Sequence, residues 1–224
     1  MHKTRLTLAA ALLLAALPAL QGCFPAVVTG AAVGVMAAHD RRSIGTQTDD
    51  ETSELKVRGR LPAQYKEQSN VSVTVFNRRL LLTGEVPSAE ARAATEAAAR
   101  EVDGLREVFN ELGVGPVSTL GSRSNDSYIT SKVKARLVDS DQISANHVKV
   151  VTERGIVHLL GIVNEREAKA AVNVARTTSG VLKVVNVMEV IDEAETRRID
   201  EQLLGARKSS PASAPASSAP VENR

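Results

Sequence analysis

Few side chains in this sequence could do covalent chemistry. Cys23 is the only cysteine in the chain. It cannot form an intramolecular disulfide, and a free thiol is out of place in an oxidising compartment. His39, His147 and His158 show no metal-ligand spacing, and His2 stands at the extreme N-terminus. His158 lies between Val157 and Leu159 in an alternating stretch and so points away from their face, which predicts a solvated strand histidine. Ser72, Ser88 and Ser127 lack the glycines of a nucleophile elbow. Glu165 and Glu167 are placed to begin a helix, where carboxylates stabilise the macrodipole. With no tryptophan, two tyrosines and three phenylalanines, stacking platforms for bases or sugars are not expected. The residues predict no catalytic centre, no metal site, no cofactor and no nucleic-acid partner.

One helical stretch offers non-covalent chemistry instead. Tyr128, Lys132 and Arg136 recur at i, i+4 and i+8, which aligns an aromatic ring and two cations along one helix edge. Ile129, Val133 and Leu137 form a narrow apolar stripe beside it, expected to face the core, and Lys134 lies on the other side. Such an edge suits an anionic headgroup layer. Tyrosine belongs to the membrane belt, and each cation near that surface contributes about 1 kcal/mol, attenuated over a Debye length of about 8 Å. Net charge adds nothing to this reading. The chain has 28 Lys and Arg against 26 Asp and Glu, and without Lys3 and Arg5 near the N-terminus the count is 26 against 26.

The N-terminal residues read as an export signal. Lys3 and Arg5 precede a run of Leu, Ala and Thr from Leu6 to Leu17, the length of a signal h-region and too short to span a bilayer. Pro18 breaks the run before Leu20-Gln21-Gly22-Cys23. This tetrad resembles the lipobox of bacterial lipoprotein precursors, with Gln21 where Ala or Ser is more usual. The resemblance implies cleavage after residue 22 and lipid on Cys23. Phe24 in place of Asp implies sorting to the outer membrane, on its periplasmic face. At the other end, Asp192 to Gly205 reads as a polar helix, with Ile199 and Leu203 four apart. Residues 207–224 are rich in Ser, Pro and Ala and are expected to be disordered.

Between these ends lies an internal repeat. Alternating stretches begin at Val71 and Val148, and each precedes a glycine by thirteen residues, Gly84 and Gly161. Turn-like centres at Asn77-Arg78-Arg79 and Glu153-Arg154-Gly155 make each stretch a β-hairpin. The two glycines are expected to permit a backbone turn or close packing at the hairpin end. A helix follows each hairpin. One runs from Ser88 to Glu101. The other is capped by Asn164 with Glu167 as capping-box partner, and Ala168, Ala171, Val172 and Ala175 share one face. The helices stop at Gly104 and Gly180, twenty and nineteen residues past the hairpin glycines, so the second helix or its cap is one residue shorter. Last strands span Leu105 to Val114 and Val181 to Ile191. A helix also precedes each hairpin: Glu54 to Arg60, cut short by Gly59 and Pro62, and Tyr128 to Val138, capped by Asp126 or Ser127. Units of about 65 residues are marginal alone, so the two are expected to pack on each other.

The αββαβ unit with glycine ending its hairpin resembles the BON domain, and two such units behind a lipobox resemble the dual-BON-domain outer-membrane lipoproteins of Gram-negative bacteria. The resemblance runs from Cys23 to about Ile191 and includes the stretches Asp40 to Asp50, Ser124 to Thr130 and Val163 to Ala171. It implies an α+β fold of two tandem αββαβ domains, each a small mixed three-stranded sheet with two helices. The organisation is a signal peptide over 1–22, a lipidated linker over 23–50, BON domains over 51–115 and 124–192, and a polar helix and tail over 193–224. It further implies a non-enzymatic protein that binds anionic phospholipid through the first helix of the second domain, supporting outer-membrane integrity and localisation to the division site. In the family the tip of that helix commonly carries Trp, where this chain has Tyr128. The site residues so implied are Tyr128, Ile129, Lys132, Lys134 and Arg136. The alternative is an adaptor that docks outer-membrane assembly or peptidoglycan-remodelling proteins.

Overall fold

The computed structural model describes residues 40–209. Cys23, the export signal, His39 and the end of the Ser/Pro/Ala tail lie outside the described residues. Within them the chain forms α1 (Ile44–Arg60), a 3-10 turn (Ala63–Gln68), β1 (Asn70–Phe76), β2 (Arg79–Val86), α2 (Ala89–Arg100), β3 (Glu107–Asn110) and β4 (Gly113–Val114). The pattern repeats as α3 (Leu120–Val138), a 3-10 turn (Ala145–His147), β5 (Val148–Glu153), β6 (Ile156–Val163), α4 (Glu165–Arg176), β7 (Lys183–Asn186) and β8 (Glu189–Val190), and α5 (Glu193–Ser209) follows. In each unit the second strand is central. β2 pairs antiparallel with β1 and parallel with β3 and β4, and β6 does the same with β5, β7 and β8. The last strand of each unit is thus one strand broken into two short pieces along a single edge.

Both hairpins close with two residues of positive φ, Asn77 and Arg78 in one and Arg154 and Gly155 in the other. Such turns match the twist of the flanking strands. Two arginines are held in this unfavourable region by carboxylates from the first helix of each unit. Asp50 accepts the Asn77 and Arg78 N–H groups at 2.7 and 2.9 Å, and Asp126 accepts those of Arg154 and Gly155 at 2.9 and 2.8 Å. Asp126, expected to cap α3, is therefore buried in mid-helix and caps the hairpin. The helix begins earlier, at Leu120, with Thr119 as its cap. α1 likewise begins at Ile44 behind Ser43, well before Glu54. Helices α2 and α4 have twelve residues each. The residue missing from the second unit is in the connection, where Pro87 separates β2 from the cap Ser88 but Asn164 follows β6 directly. The Asn164–Glu167 capping box is formed.

Strand alternation sorts side chains onto two faces. Leu80, Leu82 and Val86 of β2 join Val57, Ala91 and Ala99 in one core beneath α1 and α2. Val157, Leu159 and Val163 of β6 join Ile129, Val133, Leu137 and Ala171 in a second. The opposite faces meet each other. Phe76 and Leu81 of the first unit and Leu160, Ile162 and Val187 of the second form a third buried cluster, with Phe109 and Val185 packed against it.

His158 belongs to this inter-sheet layer. It does point away from Val157 and Leu159, but the face it joins is covered by the other unit, so the expected solvated histidine is 1% exposed. Neither imidazole nitrogen has a hydrogen-bond partner, and burial lowers its pKa. Glu85 is buried in the same layer. Glu153 lies half-buried nearby, and its pKa is pushed up to about 7 by burial and by the charges of Glu85 and Asp126.

Gly84 and Gly161 sit where the strands approach most closely. A Cβ at Gly84, whose φ is +107°, would collide with the Asn70 carbonyl oxygen, and one at Gly161 would collide with that of His147. Replacing either by Ala is expected to cost upwards of about 3 kcal/mol in urea unfolding. Gly59, in α1 with open space around its Cα, supplies the contrast: Gly59→Ala should stabilise by about 0.5–1 kcal/mol.

The raised pKa of Glu153 gives a second expectation. Stability from its neutral form is fully present below the ordinary value of 4.5 and is lost as pH rises through about 7. Because the side chain is half-exposed, solvent screening limits the effect to roughly 1 kcal/mol. Glu153→Gln, a permanent mimic of the neutral acid, should therefore raise the Tm by about 2–4 °C at pH 8 and leave it unchanged at pH 4.5.

Candidate functional site

The edge of α3 singled out by sequence spacing is a seam between two helices. Ile129, Val133 and Leu137 are buried, as their stripe requires, and this takes Ile129 out of reach of any flat surface. Its part is to hold the helix on the sheet. Tyr128, next to it, is 64% exposed. The Lys132 ammonium lies 4.6 Å from the Tyr128 ring centroid and donates a hydrogen bond to the Ser179 carbonyl, just beyond α4. A cation over a ring face is stabilised by about 0.5–1 kcal/mol at exposed sites. The charge is thus fixed beside the aromatic ring.

Arg136 is committed differently. Its guanidinium donates to the Val174 carbonyl at 3.0 Å and to the Thr178 hydroxyl at 2.8 Å, which satisfies the last turn of α4. Lys134 is exposed on the far side of the helix. The arrangement therefore presents one exposed aromatic ring, one cation latched to it, one free lysine and one arginine that does structural work with its charge still at the surface. Among the described residues no group of three or more His, Cys, Asp or Glu side chains could hold a metal ion, and no helix is long and apolar enough to cross a membrane.

The structure adds residues that spacing could not reveal. Leu182, in the α4–β7 loop, is 80% exposed. Its amide donates to the Gly155 carbonyl at 2.9 Å, which ties the loop to the β5–β6 turn.

At the opposite end of β6, Arg41 is buried. It donates to the Ile162 carbonyl, to both oxygens of Glu167 and to both oxygens of Asp200 in α5. Burial opposes charge on the carboxyl of Glu167. His147 at 3.5 Å, the Arg41 hydrogen bonds and the Asn164 N–H outweigh it and hold the pKa down at about 2. Glu167 thus joins a buried ion cluster besides charging a helix end. Arg42 reaches the other way, to Asp40 and Asp50, with its guanidinium 3.8 Å above the Phe76 ring. Residues 40–42 therefore strap both units and α5 together at the point where the N-terminal segment enters.

Comparison with known proteins agrees with this architecture. The family model described as BON domain matches residues 49–116 and 125–192. Outer membrane lipoprotein DolP of Haemophilus influenzae is 41% identical over 184 residues, covering 81% of this chain and 95% of that protein. The 21 kDa hemolysin of Actinobacillus pleuropneumoniae is 38% identical over 154 residues, 68% of this chain and 79% of that one. Osmotically-inducible protein Y of Escherichia coli is 29% identical over 166 residues, 72% and 82% of the respective chains.

The different commitments of the site residues can be separated by urea unfolding. Tyr128→Ala should change stability by less than about 0.5 kcal/mol, as expected of an exposed side chain. Arg136→Ala, which removes one donor from the last turn of α4 but leaves the Thr177 and Thr178 hydroxyls on the Val174 carbonyl, should cost about 1 kcal/mol. Arg41→Ala strips a buried carboxylate of its partner and should cost about 3–5 kcal/mol.

Proposed function

Because the chain belongs to the dual-BON-domain outer-membrane lipoproteins, we propose that it is held by lipid on Cys23 at the periplasmic face of that membrane and docks on anionic phospholipid through α3, the first helix of its second BON domain. The observation that carries this reading is the exposed Tyr128 ring with the Lys132 ammonium held against it. An amphipathic ring beside a fixed cation fits the boundary between acyl chains and anionic headgroups. The outward charge of Arg136 extends the same field, and Lys134, on the far side of the helix, adds a longer-range attraction. Three cations and one tyrosine give weak, salt-sensitive docking. That is enough when an anchor already holds the protein nearby, because the second contact is then intramolecular.

The role in this reading is non-enzymatic: support of outer-membrane integrity and concentration in lipid zones such as the division site. A curated relative bears the name osmotically-inducible protein, which accords with a part in envelope stress.

The test uses the mature chain with Cys23→Ser, so that no acyl chain contributes. Vesicles of phosphatidylethanolamine with a quarter phosphatidylglycerol should sediment the protein, and vesicles without the anionic lipid should not. Raising NaCl from about 50 to about 300 mM should weaken binding severalfold. Tyr128→Ser combined with Lys134→Glu, two exposed changes that spare the fold, should weaken it at least tenfold. Binding that ignores the anionic lipid would overturn the proposal and favour a protein-docking adaptor.

A further inference from the structure

The two BON domains supply an internal comparison. Asp50 and Asp126 perform the same task in each, and counting from them places Thr52 where the second domain has Tyr128, and Lys56 where it has Lys132. The α2–β3 and α4–β7 loops match as well. The Arg106 amide donates to the Arg78 carbonyl at 2.7 Å, as the Leu182 amide does to Gly155. At equivalent positions the first domain therefore carries Thr52 and Arg106, and the second carries Tyr128 and Leu182.

In both domains the hairpin turn at this end meets the other domain. In the first domain this end abuts the second domain: Arg106 donates to Glu189 at 3.4 Å, and Asn77, in the adjoining turn, donates to the other oxygen of Glu189 at 2.6 Å. That end is polar and meets protein. At the matching end of the second domain the turn also meets protein, with the Arg154 guanidinium against Gly113 of β4, but the helix and loop positions beside it are apolar and exposed. Leu182, at 80%, and Tyr128, at 64%, are both largely exposed.

Lys132 links the two apolar groups, with its ammonium against the Tyr128 ring and bonded to the Ser179 carbonyl at the start of the loop that bears Leu182. Gly180 lets that loop close on the helix: its φ is +94°, and a Cβ there would lie 3.3 Å from Ile129 and 3.5 Å from the Lys132 ammonium. Lys183 follows Leu182 and is exposed. Of the nearby acids, Asp126 is buried and occupied by the hairpin amides, and Glu153 is half-buried and drawn toward its neutral form. The patch is therefore apolar and cationic, which is the chemistry of an anionic bilayer surface.

We propose that Leu182 enters the acyl boundary together with Tyr128, so that the bilayer contact is a two-pronged tip, built from α3 and the α4–β7 loop and pinned by Lys132, rather than a helix edge alone. The inference rests on the lipid reading above. It makes the loop a second contact that the duplicated domain lacks, and Lys132 a positioning residue as well as a charge.

The chain contains no tryptophan, so Leu182→Trp in the mature Cys23→Ser protein gives a single reporter. Its emission should shift to the blue and be quenched by vesicles containing bromo-acyl phosphatidylglycerol, and should stay unchanged with zwitterionic vesicles. Leu182→Ser should keep the parent's Tm and weaken binding to anionic vesicles roughly 5–20-fold, as expected when much of one leucine's transfer into an apolar phase is lost. If the parent binds anionic vesicles while the introduced tryptophan is neither shifted nor quenched, the inference falls and the lipid reading stands. If the parent does not bind them, both fall. Should Leu182→Ser lower the Tm, the tryptophan readout alone decides.

Discussion

A three-stranded sheet with two helices on one side has a second side that something must cover. Each BON domain here solves this with the other, and most of the architecture follows from that burial. Phe76, Leu81, Leu160, Ile162 and Val187 lose their water where the bare faces meet. Fully burying side chains of this kind contributes about 1.5–3 kcal/mol each. Units of this size have little stability to spare on their own. The tandem arrangement is therefore a folding requirement before it is a functional one. Each hairpin turn meets the last strand of the other domain, Asn77 at Glu189 of β8 and Arg154 at Gly113 of β4. Beside the second of these turns Tyr128 and Leu182 remain exposed.

The inter-sheet layer is not wholly apolar, and its polar members show what tandem packing tolerates. His158 is buried with neither nitrogen partnered, and one oxygen of Glu85 is likewise alone. Neutral imidazole is the cheaper form to bury, in keeping with its lowered pKa. Glu153 sits at the rim of the same layer, where proximity to Glu85 and Asp126 favours the proton it would ordinarily lose. The Arg41 cluster is the opposite case. Its charges are also removed from water, but each has opposing partners at hydrogen-bond distance, so the guanidinium and the Glu167 carboxylate both remain ionised.

Much of this was legible in the sequence because alternation and helical spacing report which residues share a face. The hairpins, the helices behind them, the Asn164 cap and the burial of Ile129, Val133 and Leu137 follow from such periods. What periodicity cannot report is whether the other face is covered, and so His158 reads as solvated when its face is the domain interface. Asp126 reads as a cap because Asp favours helix starts. Its true partners are two hairpin amides 28 and 29 residues away, and nothing local marks them. The early start of α1 was hidden by Gly59 and Pro62, which announce an end but say nothing of the beginning. Nothing in the sequence around Leu182 marks it. Only the fold sets it beside Tyr128, although comparing the two repeats position by position would have shown Leu in one and Arg in the other.

The strap and the tip also constrain how an anchored molecule could meet its membrane. Arg41 grips the carbonyl of Ile162 near the C-terminal end of β6, and the Leu182 loop is tied to Gly155, just before its N-terminal end. An eight-residue strand separates them, a length of roughly 23–25 Å. The N-terminal segment therefore enters the fold at the end of the second domain remote from the exposed tip. A chain fastened to lipid at Cys23 must bridge that distance for the tip to touch the same leaflet. The seventeen residues from Cys23 to Asp40 can reach about 56–61 Å when fully extended, more than twice the strand length. That contour length exceeds what the proposed anchor and the proposed tip need to lie on one surface. Under the proposed docking, this separation leaves the second contact reversible and set by the charge of the local lipid.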